Sequence, residues 1–147
     1  MTIRIVLADD HAAFRSSLRA LLERQPGLSV VMEADSGGGV IEALGSCDEN
    51  PPDVLLLDMD MRDLSGLQVA QALFVLRPTL RILMLSWYDE LPLVSAAAAA
   101  RCRGYMLKDD PLTELVHAIQ LVASGSTYLS AALRSVQTSG NRISAFC

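Results

Sequence analysis

Lysine is almost missing from this chain. Lys108 is the only one in 147 residues, and every other fixed cation is an arginine. A guanidinium is a planar fork, whereas an ammonium on a flexible stem reaches a single anionic oxygen, so the one lysine suits a point contact. Cysteine is scarce as well. Cys47, Cys102 and Cys147 are odd in number, far apart and without metal-ligand spacing, which reads as reduced thiols in a reducing compartment. No apolar run approaches the length of a membrane span, so no membrane association is expected. The N-terminus leads straight into a strand pattern without the marks of a signal peptide, and the expected location is the cytoplasm. Clustered basic residues are also lacking. The net charge is −5 and the arginines are scattered along the sequence, which argues against direct nucleic-acid contact by this chain.

What is present is a core. Hydrophobic residues make up 51% of the chain, enough to exclude disorder of the whole, and the length allows one domain. Four strand-sized apolar runs end in polar groups. Ile3–Ala8 runs into Asp9-Asp10, Val54–Leu57 into Asp58, Ile82–Leu85 into Ser86, and Gly104–Leu107 into Lys108. Between them lie helical stripes such as Phe14, Leu18, Leu21 and Leu22, or Leu112, Leu115, Ile119 and Val122. Strand and helix patterns alternate, with a further strand at Leu28–Ala34, and predict a parallel sheet covered on both faces by five helices. Asp110 is expected to cap the last helix, with Pro111 at its first position. Residues 1–126 are expected to form the domain. Residues 127–147 read as a linker or tail, with one short helix from Tyr128 to Val136.

Open parallel sheets bind ligands at the carboxyl ends of their strands. Asp9, Asp10 and Asp58 bring three carboxylates there, and mutually repelling anions call for a cation. Hard oxygen donors suit Mg²⁺. Lys108 and Ser86 supply a charge and a hydroxyl opposite, so the group held would be a phosphoryl, with Asp58 the nucleophile that forms an aspartyl-phosphate.

In this order and at these spacings, Asp9-Asp10, Asp58, Ser86, Tyr105 and Lys108 resemble the receiver domain of two-component response regulators. Val6-Leu7-Ala8-Asp9-Asp10-His11 and Gly104-Tyr105-Met106-Leu107-Lys108-Asp109 resemble the subgroup that precedes a LuxR-type helix-turn-helix. The resemblance runs from about Thr2 to Tyr128. It implies a doubly wound five-stranded α/β sheet of flavodoxin-like order 2-1-3-4-5. It implies that Asp58 takes a phosphoryl group from a sensor histidine kinase, and that Mg²⁺ is held by Asp10, Asp58 and the Asp60 carbonyl, with Asp9 acting through water. Lys108 would contact the phosphoryl. Ser86 would be the switch hydroxyl, and Tyr105 would rotate inward, changing a face bound by partners or a second copy. The expected function is a signalling switch regulating transcription through a DNA-binding domain absent from this chain. It would be no enzyme beyond its own phosphorylation and dephosphorylation.

Some positions depart from the family's pattern. Arg62 stands where proline is common and is expected to pair with Asp60 or Asp63. Asp60 adds an acid beside the acceptor, Trp87 follows the switch hydroxyl, and Lys108 precedes Asp109 where many receivers have proline. His11 reads as a first-turn surface residue. Two other functions compete. Asp58-Met59-Asp60 could be the Asp-x-Asp of a haloacid-dehalogenase-like phosphatase, although there the nucleophile follows the first strand. The third reading is a receiver-like dimerisation module that is never phosphorylated, which the complete acid set opposes.

Overall fold

The runs that end in polar groups become neighbouring strands. In the computed structural model, which describes residues 2–45 and 50–137, the sheet comprises β1 (Ile3–Ala8), β2 (Leu28–Ala34), β3 (Val54–Asp58), β4 (Arg81–Ser86), β5 (Gly104–Leu107) and β6 (Tyr128–Leu129). All pairs are parallel, in the order β2-β1-β3-β4-β5-β6. The helices are α1 (Ala12–Glu23), α2 (Gly37–Gly45), α3 (Gly66–Leu76), α4 (Leu91–Ala99), α5 (Leu112–Ala123) and α6 (Ala131–Gln137).

Alternation along each strand sorts its side chains to two cores. Ile5, Leu7, Leu56, Leu83 and Met106 pack with Leu18 and Leu22 of α1 and with Ile119 and Val122 of α5. Val6, Leu55, Leu57 and Met84 face the other way, onto Val40, Val69, Leu73, Val94 and Ala97 of α2, α3 and α4. Because both faces are buried, the central strands read as continuous apolar runs. Edge strand β2 differs: its register against β1 slips at Ile5/Val6, and Val31 is exposed.

The expected order 2-1-3-4-5 holds, and the sheet gains a strand. Tyr128 and Leu129 were expected to be helical but pair with Gly104 and Tyr105, and the helix begins only at Ala131. An unpaired β5 edge and two buried side chains decide this locally. Leu133 of α6 is 2% exposed and joins the α2–α4 core, so part of the expected linker packs against the body. The rest of the expected tail, from Thr138 to Cys147, lies outside the described residues, as does Cys47. Asp110 does not cap α5, whose N-cap is Pro111. Its carboxylate accepts instead from the Leu107 N–H at 3.1 Å and the Ser130 hydroxyl at 2.6 Å, tying the β5 turn to the start of α6. Asp63 takes the first N–H groups of α2, from Gly37 and Gly38, at 2.9 and 2.8 Å, and they hold its carboxyl below the usual range.

Leu133→Ala should lower unfolding free energy by about 2–4 kcal/mol in urea titrations, as a core truncation does. A change near zero would place α6 outside the cooperative body.

Candidate functional site

Parallel strands bring their carboxyl ends to one side, and the polar residues that stop each apolar run meet there. Asp9 and Asp10 follow β1, Asp58 and Ser86 close β3 and β4, and Lys108 follows β5. Backbone bonds level these ends: the Met59 N–H donates to the Leu85 carbonyl at 3.0 Å, and the Lys108 N–H to the Ser86 carbonyl at 2.8 Å. The loop after Asp58 folds back over its own strand, and only a glycine fits where it returns. A Cβ on Gly66 would lie 2.5 Å from the Asp58 carbonyl oxygen and 2.8 Å from the Met59 Cα. The Gly66 N–H donates to the Met59 carbonyl at 2.8 Å. The next helix then starts with a capping box between Ser65 and Gln68.

Lys108 is the hub. Its side chain is 1% exposed, with the ammonium 2.8 Å from Asp9 Oδ2 and 3.0 Å from Asp58 Oδ1. The Phe14 ring lies 4.6 Å from Nζ and the Trp87 ring 5.9 Å, with the two rings edge to face. Trp87 itself is 58% exposed, at the rim of the site.

Ligand atoms of Asp9, Asp10, His11 and Asp58 all lie within 4.8 Å of one another. Two buried carboxylate oxygens, Asp10 Oδ1 and Asp58 Oδ2, accept no hydrogen bond. Clustered oxygens left without donors fit a hard divalent cation. His11 is exposed, as expected, and its Nδ1 sits 3.3 Å from Asp9 Oδ1 and 3.2 Å from Asp10 Oδ1. The only sequence signal for this was its place directly after the two acids.

The departures resolve differently from expectation. Arg62 pairs with neither Asp60 nor Asp63. Its N–H donates to Asp10 Oδ2 at 3.1 Å and its Nε lies 3.6 Å from the same oxygen, because the loop crosses to the β1 end. The Asp60 carboxylate stands apart from the cation cluster and accepts from the Tyr88 hydroxyl at 3.1 Å, while the Asp60 N–H donates to Asp58 Oδ1 at 3.2 Å.

Tyr88 went unnoticed in the sequence, yet it connects the site to its surroundings. Its N–H donates to Ser86 Oγ at 2.9 Å, and its carbonyl accepts from the Tyr105 hydroxyl at 2.7 Å. Ser86 is 1% exposed, and Tyr105 is fully buried in this structure, so it already occupies the inward position.

The match to known proteins follows this geometry. The model of the response regulator receiver domain covers residues 5–120. This chain belongs to the response-regulator receiver family. The receiver is 35% identical to response regulator GacA of Pseudomonas viridiflava over 128 residues, which are 87% of this chain and 58% of GacA. A LuxR-family two-component response regulator from Aurantimonas superposes with TM-score 0.85 at 28% identity, covering 92% of this chain and 94% of that one. The signal receiver domain of NarL from Mycobacterium tuberculosis gives 0.75 at 35% identity, over 84% and 98%. The chain spans somewhat over half the length of curated relatives such as GacA. Among the described residues, no helix is long and apolar enough to cross a membrane.

Electrostatics single out one receiver carboxylate. Burial pushes the Asp58 carboxyl up to about 6, against the pull of Lys108 and with a further push from the Asp9 charge. The folded chain thus holds this proton more tightly than the unfolded chain, where the ordinary value is 3.8. Stability without metal should be fullest below that value, fall as pH rises to about 6, and stay low above. Asp58→Asn removes this loss. Metal-free Asp58→Asn should exceed the parent by about 1–3 kcal/mol at pH 7.5, a gap that closes toward pH 4. Chemical denaturation across pH in chelator checks this, and a gap independent of pH would contradict it.

Proposed function

We propose that Asp58 is the phospho-acceptor of a switch driven by a sensor histidine kinase. The observation that carries this reading is a buried Asp58 with Oδ1 on the only lysine and Oδ2 without a partner. Asp58 Oδ2 attacks phosphorus, an O–P bond forms, and the P–N bond to the kinase histidine breaks. Mg²⁺, held by Asp10, Asp58 and the Asp60 carbonyl with Asp9 through water, would offset the charge of the incoming phosphoryl group. Lys108 keeps Asp9 while shifting from Asp58 Oδ1 to a phosphoryl oxygen. Ser86 Oγ donates to another, drawing its loop inward and loosening the bond from the Tyr88 N–H. Because the Tyr105 hydroxyl is tied to the Tyr88 carbonyl, the α4–β5–α5 face follows this loop.

Hydrolysis of the acyl phosphate resets the switch. We read it as acting in the cytoplasm, with a kinase and a second copy of the chain as partners, and with output through a DNA-binding domain. The phosphatase reading has less support, since Asp60, its would-be general acid, is occupied by Tyr88. A module that is never phosphorylated gives no reason for two buried carboxylate oxygens without a partner at one strand-end cluster.

Trp87 reports on this site, since it adjoins Ser86 and lies near Lys108. Mg²⁺ should change its fluorescence and beryllofluoride should change it again, the second step requiring metal and vanishing in Asp58→Asn. Beryllofluoride binding without metal would overturn the proposal.

Lys108→Arg should retain Mg²⁺ affinity within about threefold by calorimetry yet lose the beryllofluoride step, because a fork cannot fill the ammonium's buried place. A normal step in that variant would make the lysine incidental.

A further inference from the structure

The arginines scattered along the sequence do not stay scattered in space. Arg77, Arg81, Arg101 and Arg103 converge on a cavity of about 520 Å³ between the ends of α3 and α4 and the starts of β4 and β5. This is the amino-terminal end of the parallel sheet, opposite Asp58. No Asp or Glu among the described residues lines the cavity. Among the described residues, no carboxylate pairs with Arg81, Arg101 or Arg103.

Cations beside helix ends have an ordinary explanation, because each helix C-terminus carries about half a negative charge. Here the magnitudes do not balance. α3, α4 and α5 end on this side, together about one and a half negative charges, against three guanidinium groups from Arg81, Arg101 and Arg103. Arg77 is left out of this sum, and Arg103 keeps its charge while donating to the Gly125 carbonyl at 3.4 Å. Asp53, on the adjoining cavity beside Arg81, adds one negative charge and brings the balance to about half a positive charge. A positive surplus remains, in a chain whose net charge is −5.

Arg101 adds an independent observation. Among the described residues it is the only non-glycine with positive φ, at 70°. It follows the C-cap of α4, where its N–H donates to the Ala98 carbonyl at 3.0 Å and the Cys102 N–H to the Ala97 carbonyl at 3.1 Å. Glycine is the usual residue there, since a side chain strains this conformation. The arginine is therefore not what ends the helix. Its guanidinium lies 5.4 Å over the ring of Phe74, which is 42% exposed.

We propose that this cavity binds a phosphate-bearing anion of small-molecule size, with the Arg101–Phe74 pair placed to hold an attached planar base. The volume lies within the range of small-molecule sites, roughly 300–1,000 Å³. Two sources present that chemistry, a free polyphosphate and a nucleotide, and base stacking separates them.

The test is calorimetry with pyrophosphate, ATP and adenosine on the intact chain, in chelator and at low salt, with backbone amide shifts locating the ligand. Saturable binding of a phosphate anion is expected, with shifts at Arg81 and Arg103 and none at Asp58. It should weaken at least about tenfold in the Arg81→Gln, Arg103→Gln double variant. Arg101→Gly should bind more weakly while unfolding at higher temperature, which separates ligand contact from helix termination. ATP binding tighter than pyrophosphate, with the excess lost in Phe74→Ala, assigns the site to nucleotides. Equal binding assigns it to polyphosphate. No saturable binding of either anion, binding untouched by the arginine variants, or shifts confined to the Lys108 end would overturn the proposal.

Discussion

A buried ammonium with too many acids around it is the constraint on which this receiver turns. Lys108 touches Asp9 and Asp58 together, and Asp10 completes a cluster in which three carboxylates share one buried cation, with Arg62 reaching Asp10 only from solvent. Two negative charges remain without a buried partner, and such a cluster favours taking up protons or a cation. The raised Asp58 carboxyl is one expression of that demand. A divalent ion answers it arithmetically. On the proposed function, metal binding is the condition under which an anion can approach Asp58.

Everything that positions this cluster is backbone. Parallel pairing sets four strand ends level, Gly66 lets the acceptor loop return across its own strand, and the bond from Lys108 N–H to Ser86 keeps the lysine beside β4. The side chains around it are then coupled at short range. Tyr88 meets Asp60 with its hydroxyl, Ser86 with its N–H and Tyr105 with its carbonyl. One residue so placed cannot move without disturbing the loop after Asp58, the Ser86 hydroxyl and the buried Tyr105. Tyr105 is already inside, so the loop carrying Tyr88 is the element with room to change.

The central strands were legible because burial on both faces leaves unbroken apolar runs, each ending in a polar residue. Asp9, Asp10, Asp58 and Lys108 meet at the strand ends, and Ser86 joins Lys108 through its backbone carbonyl. β6 was not legible, since two residues cannot show alternation and the open edge of β5 decides their pairing. Asp110 read as a cap because its neighbours do; its actual partner, Ser130, is twenty residues away. Arg62 and Tyr88 failed to show for the same reason. Their partners Asp10 and Asp60 are distant in sequence, and no local pattern encodes a loop crossing between strand ends.

The central claim is that the phosphoryl group lands on Asp58. Incubation with acetyl phosphate and Mg²⁺, reductive trapping with borohydride and peptide mass spectrometry would locate the adduct directly. The account predicts one acid-labile acyl phosphate, converted to homoserine at position 58 and absent when Mg²⁺ is chelated. Modification at Asp9, Asp10 or Asp60 with Asp58 untouched, or labelling that persists in chelator, would contradict it.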